Sequence, residues 1–181
     1  MDQYTKLLAA GKLLLSPTDT IWGILCDATN PEAVERVYTL KKRPDSKAMV
    51  CMVSDLKMLQ RYIEVLPENL HQHLEHPRPT TIIYPNPCGI APNAVAKENT
   101  VAIRVVKHHF CTPLIATFGK PLISTSANLS GDPHPQKFED IDLEIVRGVD
   151  GIIDLKKEIN KPLPSRIIKI DYGGKIDVIR A

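Results

Sequence analysis

The sequence is poor in aromatic residues, which make up 5% of its 181 positions. A core must therefore be built mainly from Leu, Ile and Val. Charge of one sign is also lacking: 23 Lys and Arg against 21 Asp and Glu leave a formal net charge of +2. That charge is too small to imply a nucleic-acid binder by bulk electrostatics, and any basic patch must be local. No apolar run approaches bilayer-spanning length, and Asp2, Lys6 and Lys12 break up the first segment. This predicts neither a membrane anchor nor a secretion signal. The cysteines Cys26, Cys51, Cys88 and Cys111 form no CxxC pair. They read as reduced thiols of a cytoplasmic protein rather than disulfides or zinc ligands. His71, His73 and His76 have poor spacing for a metal, so no metal site is expected. The familiar signatures GxxxxGK[ST], GxGxxG, GxSxG and HExxH are all missing. A nucleotide, if used, must sit on a less common scaffold.

What is present suits one globular domain over 1–181, with 43% hydrophobic and 24% charged residues. Asn30 and Pro31 predict the capped start of a helix reaching Lys41, with Val34, Val37 and Tyr38 on one face. Other helices are expected at 3–10, at 55–63 after a Ser54 cap, in a short piece after Pro67, at 109–118 and at 136–147. Strands are expected at 12–16, 48–53, 80–84, 100–106, 121–126, 151–155, 165–171 and 175–180. The last two form an antiparallel hairpin turned by Gly173 and Gly174. The irregular alternation predicts an α/β fold with a mixed sheet.

Four segments carry chemistry. Ser16-Pro17-Thr18-Asp19-Thr20 places hydroxyls and a carboxylate just past an apolar strand, where α/β folds often bind ligands. In Lys41-Lys42-Arg43-Pro44-Asp45-Ser46-Lys47, position 41 continues the inward helix face while Lys42 points elsewhere. Cations beside a sheet edge suit a polyphosphate better than simple charging of a helix end. On the strand over 100–106, Thr100, Ala102 and Arg104 share one face. An Arg on so apolar a strand is either salt-bridged or turned toward a ligand, and the neighbouring segments favour the ligand. Finally, Ser124 and Ser126 share a strand face, and Asn128, Ser130 and then His134 follow the strand end. A well-capped turn is the plainer reading of that last segment, but so many small polar residues after an apolar strand favour a site.

Taken together and in order, Pro17-Thr18-Asp19-Thr20, Lys41-x-Arg43-Pro44, the strand carrying Arg104, Ser126-Ala127-Asn128-x-Ser130-Gly131 and Pro164-Ser165 resemble the YrdC-like threonylcarbamoyl-AMP synthase family. The matches run through nearly the whole chain. The resemblance implies a twisted mixed sheet flanked by helices, with an open concave basic face. It implies that L-threonine, bicarbonate and ATP, with Mg2+, give L-threonylcarbamoyl-AMP and pyrophosphate. The product would pass to a threonylcarbamoyl transferase complex that modifies tRNA. By the same resemblance Lys41 and Arg43 hold the phosphates as the catalytic pair. Arg43, Lys47, Thr100, Ser126, Asn128, His134 and Arg180 resemble nucleotide positions. Thr20, Met52, Arg104, Ser124 and Ser165 resemble threonine and carbamate positions. Ser16, Arg78, Val106 and Arg166 depart from the pattern; Arg78 stands where Gly is usual and Val106 where Pro often follows the strand Arg. Two competing expectations are a module of this fold that binds tRNA or double-stranded RNA, and a relative that makes another carbamoyl adenylate.

Overall fold

The computed structural model describes residues 1–43, 49–153, 155, 163–171 and 175–181. Helix α1 (Asp2–Ala9) stops where Gly11 takes φ +68°, and β1 (Leu14–Ser16) follows. β2 (Gly23–Asp27) leads to α2 (Pro31–Leu40). The Asn30 side chain caps α2 by accepting from the N–H groups of Glu32 and Ala33, as the sequence predicts. Then come β3 (Val50–Val53), α3 (Leu56–Leu59), α4 (Leu70–Leu74), β4 (Thr80–Pro85) and β5 (Thr100–Val105). The chain continues through α5 (Cys111–Phe118), β6 (Leu122–Ser126), α6 (Leu143–Gly148), β7 (Gly151–Ile152), β8 (Arg166–Ile170) and β9 (Ile176–Arg180).

The strands form one mixed sheet in the order β7-β1-β2-β6-β3-β5-β4-β8-β9. β1/β7, β3/β5 and β4/β8 pair parallel; the other neighbours are antiparallel. Strand alternation sends Ile24, Cys26, Cys51, Val53, Ile103 and Ile123 to one face, where all are buried. Val34 and Val37 of α2, Leu59 of α3 and Leu114 of α5 join the same cluster. Each such aliphatic side chain contributes about 1.5–3 kcal/mol on burial. The opposite face carries small groups near its middle: Gly23, Val50, Ala102, Ser124 and Ser126 come into register across β2, β6, β3 and β5. Small side chains there leave a hollow instead of a second packed layer. Among the described residues no helix is long and apolar enough to cross a membrane.

Three local expectations are corrected. α3 is capped by Asp55, whose Oδ1 accepts from Met58 N at 2.8 Å, while the Ser54 hydroxyl donates to the Asp55 carboxylate and the Met58 sulfur and caps no backbone N–H. The helix expected over 136–147 is split into a 3-10 turn at Phe138–Asp140 and the short α6. Asp140 accepts from the N–H groups of Gln136 and Lys137, and Asp142 accepts from Glu144 N, so short carboxylates start two turns where one helix was expected. β2 was not anticipated, although it lies fully buried near the middle of the sheet. The Gly173-Gly174 turn lies outside the described residues, but the β8–β9 hairpin itself is antiparallel.

Candidate active site

The hollow on the small-residue face has a volume of about 320 Å3. Thr20, Arg43, Arg104, Ser124, Ser126, Asn128, His134, Ser165 and Arg180 all line it, drawn from segments far apart in sequence.

The Lys-Lys-Arg run divides its three cations. Lys41 caps α2, and Lys42 takes a left-handed φ of +50°, turning the chain sharply. Lys41 therefore points inward, with its ammonium donating to the carbonyls of Ser126 and Asn128. Its own carbonyl accepts from Ser130 N at 2.9 Å. Lys42 reaches outward to Glu144 at 2.7 Å. Arg43 is left to line the hollow. Lys41 is only 1% exposed; burial first, then the nearby Arg43, pushes its pKa down to about 8. Burial also lowers the pKa of Arg43.

Arg104 is salt-bridged and lines the hollow as well. Its Nη2 pairs with Asp19 Oδ1 at 3.1 Å, and both side chains are almost fully buried. Yet it also lines the hollow, and its Nε is buried with no hydrogen-bond partner. Asn128 Oδ1 is likewise buried without a partner, while its Nδ2 donates to the carbonyls of Leu129 and Asp132. An unmet buried polar atom costs about 1–3 kcal/mol, which a ligand reaching it would remove. The Thr18 hydroxyl donates to the Ile21 carbonyl at 2.8 Å, so the Thr20 hydroxyl at 3.0 Å must donate to Thr18. That orientation leaves the Thr20 oxygen as an acceptor toward Arg104 Nη2, 3.5 Å away. On the far wall Ser165 Oγ lies 2.8 Å from Thr81 Oγ1, and Arg180 donates to the Ser165 carbonyl at 2.8 Å.

Three candidates do not line the hollow. Lys41 lies beneath it, tied to the turn after β6. Met52 is fully buried, with its sulfur 3.3 Å from Arg104 Nη2, so it underlies the guanidinium. Thr100 shares Arg104's face but begins β5 opposite Pro85, four residues away, beyond the hollow. Lys47 lies outside the described residues. Gly23, Val50 and Asp132 line the site without having been singled out. Asp132 directly follows the matched Ser-Gly, which was the available signal. The sequence marks Asp19 as part of its polar segment, and only the fold makes it the partner of Arg104. Among the described residues no cluster of His, Cys, Asp or Glu could hold a metal ion.

Comparison with known proteins decides the family. The family model described as "Telomere recombination" (Sua5/YciO/YrdC) matches residues 6–181. The chain belongs to the Sua5/YciO/YrdC family. Curated relatives in it include the threonylcarbamoyl-AMP synthase of Stenotrophomonas maltophilia, 32% identical over 158 residues and 85% of either chain. That of Vibrio campbellii is 31% identical over 179 residues, covering 93% of this chain and 97% of the relative. Among solved structures, P. abyssi Sua5 complexed with L-threonine matches with a TM-score of 0.82 at 25% identity, over 92% of this chain. This chain spans about half, 49%, of that longer protein. E. coli YciO shares the fold with a TM-score of 0.79 at 24% identity, covering 99% of this chain and 87% of that one. The twisted mixed sheet expected from the motifs is thus the family's fold.

Proposed function

We propose that the protein is a threonylcarbamoyl-AMP synthase that joins L-threonine, bicarbonate and ATP. The observation that carries this is the convergence of three guanidinium groups, Arg43, Arg104 and Arg180, with the hydroxyls of Thr20, Ser124, Ser126 and Ser165 around one hollow. The curated relatives of nearly equal length bear the synthase name, which supports the same reading.

The chemistry asks for such a place. The threonine amine adds to bicarbonate and loses water, giving a carbamate. A carbamate oxygen attacks the α-phosphorus of ATP, the bond to the bridging oxygen breaks, and pyrophosphate leaves with that electron pair. Two anions must approach while charge spreads over phosphoryl oxygens, so positioned cations and dipoles supply the catalysis and no protein nucleophile is needed. Mg2+ enters as part of the ATP substrate. Arg43 neutralises the phosphates, with Lys47 beside it, while Ser126, Asn128, His134 and Arg180 surround the nucleotide. Arg104, Thr20, Ser124 and Ser165 hold the threonine carboxylate and the carbamate, with Asp19 keeping Arg104 in place. Lys41 acts from below by holding the Ser126–Asn128 turn. The cations line a small hollow rather than an extended stripe, which favours small-molecule chemistry over tracking a nucleic-acid backbone. The product serves a cytoplasmic transferase complex that modifies tRNA.

The test is pyrophosphate release from ATP, which should require both threonine and bicarbonate. Arg43→Ala should lower turnover by about 10²-fold if that group steadies the transferring phosphate. Release that ignores threonine would reject the reading.

A further inference from the structure

Arg78 lies outside the hollow, yet its guanidinium is committed to the hollow's wall. Its Nε and Nη2 both donate to the Pro164 carbonyl, at 3.0 and 2.7 Å, and its Nη1 donates to the Ala181 carbonyl at 2.7 Å. The residue after Pro164 and the residue before Ala181, Ser165 and Arg180, both line the hollow. Arg180 completes the arrangement, its Nε donating to the Ser165 carbonyl at 2.8 Å and its Nη2 to Ser165 Oγ at 3.3 Å. Two guanidinium groups thus grip consecutive carbonyls, Pro164 and Ser165, and join the start of β8 to the end of β9. Ser165 is held from a third side by Thr81 Oγ1 at 2.8 Å.

Among the described residues no Asp or Glu side chain pairs with Arg78 or Arg180. Burial, and then the charges of Arg78 and Arg104, lower the pKa of Arg180. Gly, which the family pattern usually has at position 78, offers no side chain to make these bonds.

We propose that Arg78 is a positioning residue for the amino-acid substrate: by tying Pro164 and Ala181 together it fixes the Ser165 hydroxyl, which Arg180 also grips, at the threonine end of the hollow. This rests on the synthase reading. The planar fork is essential to the role, because a single ammonium nitrogen cannot stand in for the three guanidinium nitrogens that reach the two carbonyls from different sides.

The experiment compares Arg78→Met and Arg78→Lys with the unaltered protein, by pyrophosphate release and by hydrogen exchange of peptides spanning 163–167 and 178–181. The Michaelis constant for threonine should rise about tenfold in both variants, the loss of a charge-assisted hydrogen bond. That for ATP and the turnover at saturation should stay within about threefold, and Lys should not rescue. Unchanged threonine constants in both variants, or equal losses toward ATP and threonine, would overturn the proposal. If Met prevents folding, the Lys variant decides by the same criterion. If the unaltered protein shows no threonine-dependent turnover, the synthase reading fails by itself. Exchange then decides for Arg78: faster exchange in both segments upholds the tie, and unchanged exchange overturns it.

Discussion

Replacing Lys41 by Met separates two roles that its position in the sequence leaves merged. Met nearly matches the stem in length and keeps the helix end packed, but removes the ammonium that donates to the Ser126 and Asn128 carbonyls. Two stranded carbonyls cost about 1–3 kcal/mol each. Against this, the substitution removes a buried charge whose pKa falls from 10.5 to about 8, a relief of about 3 kcal/mol at neutral pH. The two effects nearly offset, leaving a net change at pH 7 between a gain of about 1 and a loss of about 3 kcal/mol, so the pH dependence is the sharper readout. The pH dependence has a definite sign. The folded pKa lies below the unfolded one, so between about pH 8 and 10.5 the unfolded chain binds more protons and folding gains stability as pH rises. Below pH 8 the cost of the charge is fully present. The unaltered protein should therefore gain on Lys41→Met across that window, in urea unfolding at pH 7, 8, 9 and 10. The Michaelis constant for ATP should also rise, because the loosened turn carries Ser126 and Asn128. A variant that keeps the original's rise in stability between pH 8 and 10, with its loss confined to turnover, would refute the reasoning and put Lys41 on the phosphates.

Other perturbations test the site's framework. Asp19→Asn strands the buried guanidinium of Arg104 and should destabilise the fold by about 3 kcal/mol in urea unfolding; a loss under about 1 kcal/mol would show that Arg104 does not depend on that carboxylate. A Cβ at Gly23 would lie 3.2 Å from Ser124 Oγ and 3.4 Å from the Thr125 carbonyl. Gly23→Ala should thus fold within about 1 kcal/mol of the original while weakening threonine binding, and unaltered binding by calorimetry would count against Ser124 as a contact. Of the four cysteines only Cys88 is exposed, and burial pushes Cys51 up to about 12 and Cys26 up as well. One thiol should react with a disulfide reagent in native protein and four in urea; more than one in the native state would contradict the buried placement of the others.

The sequence was most legible where local chemistry and periodicity agreed. Asn30 and Pro31 marked the start of α2, and its inward face led correctly to Lys41 as buried and Lys42 as turned away. The segments ending at Thr20, Arg104, Ser126, Ser165 and Arg180 did meet at one hollow. Long-range consequences were less legible. That the ammonium of Lys41 would be taken up by two carbonyls depends on where the turn after β6 folds back. That Asp19 answers Arg104 depends on a contact between residues 85 positions apart, which strand alternation cannot supply. β2 escaped notice because the five residues Gly23–Asp27 begin with a glycine and end in a carboxylate, with too few apolar residues between to announce a strand. Arg78, a departure from the family pattern in sequence, becomes intelligible only beside Pro164 and Ala181.

The most direct test is mass spectrometry of a mixture of the protein, ATP, L-threonine and 13C-bicarbonate. An adenylate that carries threonine and one heavy carbon, formed together with pyrophosphate, is the expected result. Bound ATP and threonine with no labelled adenylate would contradict the claim that this hollow brings a carbamate onto the α-phosphate.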